Sequence, residues 1–300
     1  MAVIEGSIPR GAGVITGPGK DLFVDAGDGS DDNDGLSWTG AFATMSKAFD
    51  NLASGDRIHF VGKIREQLTT PVEVFDVSIL GEGNRPRHID GTPKAGSERT
   101  AMWTTPASAT AETPLVKVIQ QGWRFTDILF AGPTDAACIQ LFRDGGSGDD
   151  ERDGSHAEIV NCRFASGQDG IEQSGGCGHV LVQDCFMTSL TGFAIKDTVG
   201  AGIGYPIRWV LKDNRFHSNA NVLKMACQDW RITGNSFIDT TTEVLDTDNG
   251  DAQSGRNVVV GNFFDIDAAD FDPDGNVVGN ATDVWSNYLA DGIESGVPAN

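Results

Sequence analysis

A short frame written six times constrains this chain more than any other feature. Its copies are Phe125-Thr-Asp127-Ile-Leu-Phe130, Ile159-Val-Asn161-Cys162-Arg-Phe164, Val182-Gln-Asp184-Cys185-Phe-Met187, Leu211-Lys-Asp213-Asn214-Arg-Phe216, Ile232-Thr-Gly234-Asn235-Ser-Phe237 and Val259-Val-Gly261-Asn262-Phe-Phe264. An apolar residue opens each copy and a large apolar residue closes it five positions later. The closing residues are spaced by 34, 23, 29, 21 and 27 residues. A period of about two dozen residues is the mark of a solenoid. Each copy alternates as a half-buried strand does, and one such strand cannot bury its face alone. Stacking successive coils about 4.8 Å apart pairs every backbone group and builds a continuous core.

Leucine-rich repeats would need a dense LxxLxL frame, which is absent, and no amphipathic helix of useful length separates the copies. The chain therefore reads as all-β, a right-handed parallel β-helix. The six closing side chains, Phe130, Phe164, Met187, Phe216, Phe237 and Phe264, are expected to stack in the interior. Asn or Asp stands two or three residues before each of them, where its side chain can bond backbone groups at a bend and form a ladder from coil to coil. Gly-rich pieces such as "SGGCG" and "TVGAGIG" supply the turns.

The N-terminal part has its own order. Leu22 to Asp25 reads as a strand, the Asp/Gly run to Gly35 as a loop, and Phe42 to Leu52 as a short helix with one apolar face. Arg57 to Val61 is the next strand. A helix placed there suits a cap over the open end of the solenoid, whose bare strand edges would otherwise pair with other chains. The resulting division is an extended arm over 1–20, a cap over 21–56, the β-helix over 57–291 with an inserted loop at 84–114, and a tail over 292–300.

Charge limits the partners. The chain has 22 basic and 43 acidic residues, a formal charge of −21. Phosphate recognition needs basic stripes, so nucleic acid is excluded, and anionic membrane surfaces with it. The first residues carry no basic n-region or apolar h-region, and no run reaches the ~18 apolar residues of a membrane span. Synthesis and folding in a host cytoplasm is the expectation. The five cysteines, Cys138, Cys162, Cys177, Cys185 and Cys227, form no CxxC and read as small buried apolar residues.

"FVDAGDGSDDNDGLSW", "AFATMSKAFD" and "SGDRIHF" together resemble the opening segment of pectate-lyase-like right-handed β-helix proteins, a type common in bacteriophage tailspikes and other virion proteins. With the later coils the resemblance spans most of the chain. It implies a homotrimer of side-by-side β-helices in a virion. Two roles follow from it. Tailspikes bind or cleave bacterial surface glycans, as glycoside hydrolases or polysaccharide lyases, and carry a sizeable N-terminal adaptor; here about 20 residues precede the fold. Other β-helix trimers decorate capsids, and a short arm suits that role. The expectation is a capsid decoration protein docked on the major capsid protein or another virion protein, with a glycan-binding tailspike as the alternative.

Candidate residues follow from chemistry. The arm offers Ile4, Ile8, Arg10, Val14 and Ile15 for docking, and the loop at 84–114, the most basic stretch, offers Arg85, Arg87 and His88. Glycoside hydrolysis needs two carboxylates facing one bond. The weak candidates are Asp149 and Asp150, in the acidic loop from Asp144 to His156, and Glu172, which with Asp169 lies on the next coil. Gly178-His179-Val180 departs from the Gly-His-Gly of polygalacturonase-like enzymes. Cys177 and His179 could be written as a dyad sharing one strand face, but nothing in the sequence orients the histidine. No cofactor is called for except calcium: Asp270, Asp272 and Asp274 precede Gly275 as in the first half of a calcium loop. Ala281 stands where that loop needs its bidentate Glu, and Pro273-Asp274-Gly275 equally spells an ordinary turn.

Overall fold

A computed structural model describes residues 19–82, 100–144, 152–197, 206–224, 228–239, 244–246, 257–265, 277–278, 282–285, 287–289 and 294–295. The chain winds as a right-handed parallel β-helix, and among the described residues its three sheets hold ten, ten and eight strands. Sheet one contains the strand that opens the repeat frame, sheet two the strand that closes it, and sheet three the strand that follows.

Register explains the frame. The opening residues Phe125, Ile159, Val182, Leu211, Ile232 and Val259 are mutual partners from coil to coil in sheet one. The closing residues Phe130, Phe164, Met187, Phe216, Phe237 and Phe264 do the same in sheet two. All six closing side chains are buried, as expected. Phe216 and Phe237 stack with centroids 5.1 Å apart, and Phe237 and Phe264 at 4.8 Å. Those separations match the spacing of neighbouring strands, so each ring sits on the one below.

The polar residues within the frame divide into two jobs. The residue three before the closing side chain adopts a left-handed backbone: φ is 59° at Asp127, 53° at Asn161, 53° at Asp184, 55° at Asp213, 68° at Gly234 and 66° at Gly261. Asn, Asp and Gly tolerate that conformation and bulky residues do not, and it bends the chain from sheet one to sheet two. The next residue points inward. From Asn214 onward it is asparagine, and Asn214, Asn235, Asn262 and Asn287 form a buried ladder. The Asn214 backbone N–H and Nδ2 both donate to Asn235 Oδ1 at 2.9 Å. Asn235 repeats this toward Asn262, and Asn262 toward Asn287. Each Nδ2 also donates to a carbonyl of the preceding coil, as Asn235 does to Leu211 at 2.9 Å. In the earlier coils Cys162 and Cys185 hold the same place, buried.

The N-terminal end differs from the sequence reading in two respects. The strand Asp21–Asp25 is the first strand of sheet one, paired in parallel with Arg57–Val61. The helix spans only Met45–Phe49, not Phe42 to Leu52. Phe42 instead bridges Val24 in extended backbone. Thr44 stops the helix on that side: its hydroxyl accepts from Lys47 N–H, while Glu66 accepts from the Met45 and Ser46 N–H groups. The short helix still covers the solenoid end, with Phe49 packed against Trp103 and Trp123 at 6.5 and 5.5 Å. Within the segment read as an inserted loop, Met102–Thr104 forms a strand of sheet two. Three residues are too few to show alternation in a sequence. No helix of the described residues is long and apolar enough to cross a membrane.

Candidate functional site

Sheet three carries a cluster of charged and polar side chains around Glu172. Its strands Ala137–Phe142 and Asp169–Ser174 are six residues each. Inward residues such as Ile139, Ile171 and Ile195 fix their register. The neighbouring positions then put Lys117, Gln140, Glu172, Lys196 and Lys224 in one outward column. Glu172, the one candidate acid among the described residues, is therefore set between Gln140 and Lys196.

Both Glu172 oxygens are occupied. Gln140 Nε2 donates to Oε1 at 2.8 Å, and Lys196 Nζ lies 3.5 Å from Oε2. Lys196 also reaches Asp169 Oδ2 at 2.7 Å. Asp169 is fully buried, and its other oxygen accepts from Phe193 N–H at 2.7 Å. Gly192 leaves room for this contact: a Cβ there would meet Asp169 Oδ1 at 2.4 Å. Beside them, the buried Gln173 accepts from the Gly176 and Cys177 N–H groups and donates to Asp197 at 2.6 Å. At the other end of the column, Lys117 Nζ sits 3.7 Å over the Phe142 ring.

These groups form one ion-paired, hydrogen-bonded network. A glycosidase acid needs a carboxyl that keeps its proton near neutrality, set against an ionised partner. Here one ammonium bridges two carboxylates, an ion-pair arrangement and not an acid set against a base. Burial alone would lower the Lys196 pKa, but the hydrogen bond and charge of Asp169, together with Glu172, raise it above the ordinary value of 10.5. Stability from this ammonium is thus complete below the unfolded lysine pKa and is lost as pH rises through the higher folded value. Urea unfolding should show stability falling as pH is taken above 10.5, and that fall should be smaller in Lys196→Met.

The cysteine–histidine pair separates. Cys177 is buried, and burial drives its thiol far above the normal range. His179 has φ of 56° and turns the chain outward, so the two do not share a strand face. The His179 ring stacks on His156, with centroids 4.8 Å apart. Cys138, Cys162 and Cys185 are also buried, and none of them is in a disulfide. Asp144 approaches Arg152 at 3.9 Å, and Asp153 accepts from Gln121. Asp149, Asp150, Ile4, Ile8, Arg10, Val14, Ile15, Arg85, Arg87, His88, Asp270, Asp272, Asp274 and Cys227 lie outside the described residues. Among the described residues, no group of three or more His, Cys, Asp or Glu is placed to hold a metal ion. Lys196 was not singled out from the sequence; aligning "GIEQS" with "FAIKD" on their isoleucines would have set it over Glu172.

No family model and no curated protein matches this chain. Solved structures do resemble it. The pectate lyase Pel9A has a TM-score of 0.56 at 11% identity over 95% of this chain and 82% of its own. The pectin methylesterase from Aspergillus niger gives 0.53 at 14% over 95% and 93%, and a rhamnogalacturonan lyase 0.50 at 15% over 90% and 68%. At these identities the likeness is one of fold.

Proposed function

We propose that this chain is a structural protein of a bacteriophage virion, a homotrimeric decoration of the capsid. The observation that carries the reading is the state of the Glu172 cluster. Both its carboxylates are tied to Lys196, and Gln140 closes the remaining Glu172 oxygen, so the face is built for rigidity and not for proton transfer. The resemblance of the opening segment to phage β-helix proteins supplies the virion context. Docking is assigned to the arm residues Ile4, Ile8, Arg10, Val14 and Ile15, with Arg85, Arg87 and His88 as a basic contact for an acidic neighbour. An arm added as a strand gains main-chain hydrogen bonds along its length, and three arms per trimer bind with avidity.

The second reading is a tailspike-type protein that binds or cuts surface polysaccharide. Its support is the strip where Lys117 covers Phe142 beside Gln140 and Glu172, and the polysaccharide-directed names of the proteins that share the fold. Two measurements separate the readings. Light scattering should give three times the chain mass, and a stable monomer at micromolar concentration would refute the trimer. Purified protein spotted on host lawns should leave the surface glycan intact. Clearing zones that disappear on replacing Asp149, Asp150 or Glu172 by alanine would establish the tailspike instead.

A further inference from the structure

The corner between sheet three and sheet one carries a column of left-handed residues that project outward. They are His156, His179, Arg208 and Asp229, with φ of 60°, 56°, 56° and 58°. The column is in step: the backbone N–H of His156 donates to Gly178, that of His179 to Ile207 and that of Arg208 to Gln228. The two histidine rings lie parallel, 2° apart in plane. Next to the column, Arg231 stands on the outer face of sheet one between its register partners Val210 and Val258. Arg208, Asp229 and Arg231 wall a cleft of about 360 Å³, lined also, among the described residues, by Val210, Val258 and Trp230.

Charge makes this cleft unusual for the molecule. The chain has a formal charge of −21, and other arginines of sheet one are paired: Arg57 with Asp21 at 2.7 Å, and Arg124 with Glu158 at 3.2 Å. Among the described residues, neither Arg208 nor Arg231 has a carboxylate partner. Among the described residues that line it, two guanidiniums stand against one carboxylate, so the cleft attracts an anion. Guanidinium forks match a carboxylate in geometry, and two valines offer an apolar seat for the rest of the ligand.

We propose that this cleft is a carboxylate-binding site, taking an organic monocarboxylate whose acid group lies between Arg208 and Arg231 and whose body rests on Val210 and Val258. The site stands apart from the virion reading and does not depend on it. Its carboxylate comes either from a small acid in solution or from an acidic side chain of a second copy, and the two sources are separable.

His179 reports on occupancy. Burial lowers its pKa, and the charges of His156 and Arg208 lower it further. A carboxylate bound on Arg208 offsets that positive charge, so binding raises the His179 pKa. The experiment is an NMR titration of the histidine rings of the full chain in isobutyrate, with chloride and phosphate of equal ionic strength as references. Isobutyrate should raise the His179 pKa saturably, with half-saturation at about 1 mM. Arg231 is not among the groups that shift His179. Arg231→Gln should therefore leave the ligand-free pKa unchanged and weaken the isobutyrate response at least about tenfold. An identical titration in isobutyrate and chloride, an equal effect of phosphate, or an undiminished response in a folded Arg231→Gln protein would overturn the site. A ligand-free His179 shift that grows with protein concentration, and is lost in Arg231→Gln, assigns the carboxylate to a second copy. A shift that requires added isobutyrate at every protein concentration assigns it to solution.

Discussion

Replacing Asn235 by alanine is expected to destabilise the protein by about 3 kcal/mol, although the residue touches no surface. Its Oδ1 accepts from both the backbone N–H and Nδ2 of Asn214, and its Nδ2 donates to Leu211 O and Asn262 Oδ1. Asn214 Nδ2 keeps a second acceptor in Val182 O. Its buried backbone N–H loses its partner in the ladder. An unsatisfied buried donor costs about 1–3 kcal/mol, and the vacated volume adds to that. The urea midpoint should fall with the m-value unchanged. A loss within about 0.5 kcal/mol, the range of ordinary surface substitutions, would show that the ladder is not a stabilising element. Cys185→Ala, two coils earlier in the same column, should cost less. Its backbone N–H keeps Asn214 Oδ1 as acceptor at 2.9 Å, and only a thiol is removed.

Lys196→Met is expected to cost about 3–5 kcal/mol, the usual effect of stranding one member of a buried ion pair. Asp169 is 0% exposed, so with the ammonium gone its charge is left without its cation. Adding Asp169→Asn removes that stranded charge and should recover part of the loss. A deficit that the double variant leaves undiminished would mean that the lysine matters through packing alone.

The sheet-two register was legible because it needs one large side chain per coil, and Phe130, Phe164, Met187, Phe216, Phe237 and Phe264 mark it without gaps. The bend was half legible. Asp and Asn were visible near the right place, but only backbone angles separate Asp213, which turns the chain, from Asn214, which joins the ladder. Sheet three was not read as a column. Its distance from the frame varies with the intervening loop, so Glu172 and Lys196 fall 8 and 9 residues after their closing side chains, Phe164 and Met187. The helix boundary failed for a different reason. The apolar spacing of Phe42, Met45 and Phe49 fits a helix, but Phe42 gains more by pairing with Val24, and the Thr44 cap then fixes the start.

The most direct measurement of the proposed role is an electron-microscopy map of the intact particle that carries this protein. The expected map shows threefold density on the head, into which three parallel β-helices fit side by side with their N-terminal ends toward the capsid. Density for the same rods at the tail, joined to its baseplate and absent from the head, would contradict a capsid decoration and make the tailspike reading the correct one.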